Sequence, residues 1–105
     1  MTVPADAKLQ LLGSTMGLIM DSLASHTPGE LTADDILDFF AIGMAAVIDN
    51  DTHLTTPRDV RIASETAGKR VEQWTKELRK LQVEAGESFL SLAMKVPRTD
   101  PPLNS

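Results

Sequence analysis

The chain has 105 residues, 42% hydrophobic and 24% charged, which is the balance of one globular domain and excludes a disordered or fibrous polymer. It contains no cysteine, which excludes disulfides, thiolate metal sites and a cysteine nucleophile and is compatible with a reducing compartment. The net charge of −5 is divided unevenly: residues 1 to 51 hold eight acids and one base, residues 52 to 105 nine bases and seven acids. Opposite-signed halves favour packing on each other or between two copies, and argue against an overall nucleic-acid footprint.

The start of the chain, MTVPADAK, lacks the basic region and small-residue cleavage site of a secretory signal. Its longest uncharged runs, Leu9 to Met20 and Phe39 to Ile48, are twelve and ten residues. A bilayer span needs about 20 apolar residues. The expectation is therefore a cytoplasmic protein without membrane contact. A domain of this size buries only about 60 to 70% of the surface of its unfolded chain, so oligomerisation is a natural supplement to its core.

The first predicted helix covers about residues 5 to 25. Leu9, Leu12, Met16, Ile19 and Leu23 recur at spacings of three and four, the period of one helical face, and Leu11, Leu18 and Met20 widen it. Gly13 and Gly17 stand four apart, a spacing that lets helices approach closely. The segment HTPGE, with proline and glycine, ends the helix.

The second helix is predicted over 33–49. Thr32 can cap the first-turn amides, Asp34 and Asp35 sit where the helix dipole favours negative charge, and Leu31 and Ile36 occupy the positions of a hydrophobic staple. Asn50 is expected to end it in a left-handed conformation. Ile36, Phe40, Gly43 and Val47 are assigned to the domain's core, leaving Phe39 and Met44 to meet a partner chain.

The third helix starts at TTPRD, with Thr56 as cap, Pro57 as first helical residue and Asp59 beside them. No proline follows until Pro97, so the helix is predicted over 57–96, weakened at Gly68 and Gly86 by about 1 kcal/mol each relative to alanine. Val60, Ala63, Ala67, Val71, Trp74, Leu78, Leu81, Ala85, Phe89, Leu92 and Val96 recur every 3.6 residues on average and share a stripe about 80° wide. A coiled coil would repeat every 3.5, so a straight helix on a bundle is favoured.

Val83, Leu90 and Met94 form a second stripe on the opposite side, and two stripes need two surfaces. Such a helix would be ~60 Å long against a radius of gyration of ~13 Å for a domain of about 100 residues. It would therefore bend near Gly86 into a four-helix monomer, or be covered by a second copy. The second stripe favours the latter. The tail 97–105, with three prolines and no periodicity, is expected to be disordered.

Polar clusters are few. Asp49, Asp51 and His53 have calcium-loop spacing, but Leu54 and Val60 stand where that loop needs glycine and glutamate, so the segment reads as a polar loop. His26 and His53 fall in loops, and neither a nucleophile elbow nor a phosphate-binding glycine loop is present. Arg58, Arg61, Lys69, Lys76, Arg79 and Lys80 make one face of the third helix basic, although Arg61–Glu65, Glu65–Lys69 and Glu72–Lys76 are four-residue charge pairs.

The sequence thus predicts an all-α, three-helix domain with a long C-terminal helix, assembled as an intertwined homodimer through Val83, Leu90, Met94, Phe39 and Met44. The expected function is that of a small non-catalytic interaction module, such as a regulator, adaptor or assembly factor, with a protein partner and no cofactor or metal. One alternative is a bundle that binds an apolar small molecule beside Met16, Met44 and Met94, or acts as a small enzyme. Another is a nucleic-acid accessory protein whose Lys69, Lys76 and Lys80 contact phosphates.

Overall fold

The structure, a computed structural model, describes residues 3–98; Met1, Thr2 and the predicted tail from residue 99 onward lie outside the described residues. The described chain is all-helical, with α1 (Ala5–Ser25), α2 (Ala33–Asp49), α3 (Pro57–Ala85) and α4 (Phe89–Met94). It divides into two units, Met1–Glu30 with Leu81–Ser105, and Leu31–Lys80.

Helix starts follow local chemistry. Thr32 accepts from the Asp35 amide at 3.2 Å while the Asp35 carboxylate accepts from the Thr32 amide at 3.4 Å, a reciprocal capping box. At the start of α3, the Thr56 hydroxyl accepts from the Asp59 amide at 3.1 Å, and the Asp59 carboxylate accepts from the amides of Thr55 and Thr56 at 3.2 Å. Pro57 fills the position whose amide would have no helical partner.

Two predicted helix ends are corrected. Asn50 is not left-handed: at φ −74° it continues the right-handed turn, and its amide donates to the Ala46 carbonyl at 3.1 Å. The carbonyls at the end of α2 are met by tightening the last turn, so no left-handed residue is required. The long third helix is interrupted, ending at Ala85. Gly86 takes φ +82°, a conformation open to glycine at little cost, and its amide closes the helix onto the Gln82 carbonyl at 2.9 Å. Ser88 then caps α4 by accepting from the Ser91 amide at 3.1 Å.

In the first unit α1 and α4 pack closely. Met16, Gly17 and Ala93 are buried there. Gly13 lies under the ring of Phe89, whose Cζ would stand 3.6 Å from a Cβ at that position. Arg98, within the segment expected to be disordered, is fixed: it donates to Asp21 Oδ2 at 2.9 Å and to the carbonyls of Met94 and Val96 at 2.7 and 2.9 Å.

The second unit contains α2 and α3 up to Lys80. Leu31, Ile36, Phe40, Ile48, Leu54, Ala63, Ala67 and Leu78 are half-buried in it, and no side chain is buried. A hydrophobic staple between Leu31 and Ile36 accords with their partial burial. The core assignment of Gly43 and Val47 is overturned: Val47 is 73% exposed, and a Cβ on Gly43 would meet nothing within 4 Å.

Candidate interaction surface

The chemistry of α2 is set by the placement of its charges. Its four charged residues, Asp34, Asp35, Asp38 and Asp49, flank the run Phe39 to Ile48, which carries none around its whole circumference. A helix apolar on all sides is ordinarily enclosed by protein. Here Ile36, Phe40 and Ile48 are half-buried, whereas Phe39, Ile42, Gly43, Ala46 and Val47 are exposed. Leu37 and Ile42 are each 63% exposed. Phe39 stacks edge-on against Phe40 with ring centroids 5.5 Å apart, which holds the outer ring in a defined direction.

On α3 the predicted stripe is partly covered. Ala63, Ala67 and Leu78 are half-buried, while Val60, Val71, Trp74 and Leu81 remain exposed. Beside Trp74 the surface carries an open recess lined by Gln73, Lys76, Glu77 and Lys80, all from one helix, so it is a shallow groove and not a closed cavity.

The residues predicted for a partner interface fall in three places. Val83, the most exposed of them at 85%, is on the last turn of α3. Leu90 and Met94 are one turn apart on α4; Leu90 is exposed, whereas Met94 is half-buried with its carbonyl held by Arg98. The turn at Gly86 separates them from Val83, so the three do not line one helix. Phe39 and Met44 are both exposed on α2, but their positions differ by about 140° around the axis, and they belong to different faces. Sequence reasoning missed Leu37, Ile42 and Val47. The available signal was the charge-free circumference, which marks every side of the helix and not two positions.

The basic face of α3 is exposed, and three of its six bases pair with acids on the same helix among the described residues. Lys76 lies 3.8 Å from Glu72, Lys80 3.2 Å from Glu77, and Arg61 4.0 Å from Glu65. Lys69 makes no ion pair among the described residues. In the loop after α2, the Asp51 carboxylate accepts from the His53 amide at 2.9 Å, so the carboxylate organises the turn. His26 ends α1, its Nδ1 2.9 Å from the Ser22 carbonyl. Among the described residues no group of three or more histidine or acidic side chains is placed to hold a metal, and no helix is long and apolar enough to cross a membrane.

One carboxylate is electrostatically distinct. Glu87 receives hydrogen bonds from Lys95 Nζ at 2.9 Å and Ser91 Oγ at 2.9 Å, and these partners, Lys95 foremost, hold its pKa below the ordinary glutamate value. The group braces the short α4 from outside.

Comparison with protein-family models, with curated proteins and with solved structures finds no match to this chain.

Proposed function

We propose that this protein is a small non-catalytic interaction module that works by helix-on-helix contact and self-associates as a homodimer. The observation that carries this reading is the run Phe39 to Ile48 of α2, free of charge on every side, in a unit that buries no side chain of its own. Leu37, Phe39, Ile42, Met44 and Val47 are all exposed on it. Covering them removes apolar surface from water at about 25 cal/mol per Å², the main source of association energy.

Charge favours a second copy as the cover. α2 carries four acids and no base, whereas α3 carries seven bases and five acids, so α2 of one copy and α3 of another attract. Regulators, adaptors and assembly factors use such surfaces, and a heterologous protein partner would dock on the same residues. The test is sedimentation of the wild type beside Ile42→Glu. The substitution places a charge on a side chain already 63% exposed, so it spares the single chain and weakens the dimer.

A further inference from the structure

The apolar stripe of α3 does not stop where the helix does. Val60, Ala63, Ala67, Val71, Trp74, Leu78, Leu81 and Ala85 are followed, in unbroken helical phase, by Phe89, Leu92 and Val96 beyond the turn. Residues 89 to 96 are apolar at six of eight positions, so α4, which starts a new helix with its own cap at Ser88, carries the α3 phase as well as the residues that pack within its own unit. In the bent form that phase is only partly used. Phe89 lies against Gly13 of α1, while Leu92 and Val96 stay 41% and 40% exposed. The bend itself rests on one residue: Gly86 is the only described residue with positive φ.

We infer that Gly86 is an exchange hinge, and that in the homodimer α3 and α4 join into one helix whose α4 segment occupies the Gly13–Gly17 groove of a second copy's α1. This deepens the homodimer reading and rests on it. The groove contacts of the single chain, Phe89 over Gly13 and Arg98 over Gly17 paired with Asp21, would be remade between copies. Exchange therefore conserves the packing of α4 and adds helical hydrogen bonds through residues 86 to 88. It also aligns Leu92 and Val96 with the stripe they continue. A short connection that can straighten is the usual requirement for such swapping.

The hinge is tested by comparing the dimerisation constants of the full chain and of Gly86→Ala and Gly86→Asn by sedimentation equilibrium. Alanine disfavours the left-handed turn and favours a continuous helix; asparagine tolerates the turn. Gly86→Ala is expected to strengthen dimerisation at least about tenfold, with Gly86→Asn close to wild type. Placement is tested by mixing Gly17→Trp, whose groove is blocked, with Phe89→Asp, whose α4 is spoiled; exchange predicts a heterodimer with one intact groove, enriched over either homodimer.

If the alanine variant dimerises no more tightly than wild type, or if mixing gives no heterodimer, the exchange is wrong. Should wild type nevertheless be a dimer that Ile42→Glu dissociates, the interaction reading survives without the hinge. A chain monomeric in every variant overturns both.

Discussion

The guanidinium of Arg98 lies directly over Gly17, so close that a Cβ added at position 17 would stand 2.5 Å from its Cζ. From there Arg98 reaches Asp21, one turn further along α1 and 77 positions away in the sequence. The small residue and the long one together clasp the end of the described chain onto α1.

This relationship makes two similar substitutions behave differently. Gly13→Ala meets only the Phe89 ring at ordinary contact distance and should stabilise the fold by about 1 kcal/mol through helix propensity. Gly17→Ala gains the same propensity but displaces Arg98 from Asp21, so the net change should be near zero or unfavourable. In an Arg98→Ala background the conflict vanishes, and Gly17→Ala should recover its gain of about 1 kcal/mol. Chemical denaturation of the four chains measures the coupling; additive effects would count against the clasp.

Glu87 gives a pH signature. Its folded-state pKa is depressed by Lys95 and Ser91, so the stabilisation it contributes is present above the unfolded carboxyl value, about 4.3, and disappears as pH falls through the lower folded value. Wild type should therefore exceed Glu87→Gln in Tm at neutral pH, with the difference closing in acid. A difference constant from neutral to strongly acidic pH would show that the carboxylate is not the stabilising group.

The caps offer a check on element ends. Replacing Thr32 or Ser88 by alanine removes the hydroxyl that accepts from the Asp35 or Ser91 amide and should destabilise by about 1 kcal/mol each. For Ser88 the loss should concentrate in α4, a six-residue helix too short to persist without its neighbours. Amide exchange would show faster exchange over residues 89 to 94 in Ser88→Ala than in Thr32→Ala.

Trp74 reports on association. It is the sole tryptophan, and it is 39% exposed on the uncovered part of the α3 stripe. Its emission should move to shorter wavelength as concentration rises through the dimerisation range, and should stay at the long-wavelength position in Ile42→Glu.

Which parts were legible in the sequence follows from the range of the interactions. The starts of α2 and α3 depend on Thr32 with Asp35 and on Thr56, Pro57 and Asp59, groups within four residues of one another, and they were readable directly. The end of α3 was misread because Gly86 was weighed only as a weak helix former; with Ser88 two residues later it forms a stop followed by a new cap. The inward side of α2 was misassigned at Gly43 and Val47 because periodicity selects a face only where the other face is polar, and on α2 it is not. Arg98 escaped notice because nothing local links it to Asp21. Phe39 and Met44, expected from the sequence to face a partner, are exposed together with Leu37, Ile42 and Val47, since the same all-round apolarity that hides the core side also extends the exposed one.

The most direct test of the central claim is the solution mass of the full chain as a function of concentration, measured by sedimentation equilibrium alongside Ile42→Glu. The predicted result is a wild-type mass rising to twice the 11.4 kDa of one chain, with the variant dissociating at concentrations where wild type is dimeric. A wild type that remains at 11.4 kDa throughout, unfolds cooperatively and is unaffected by the substitution would contradict it.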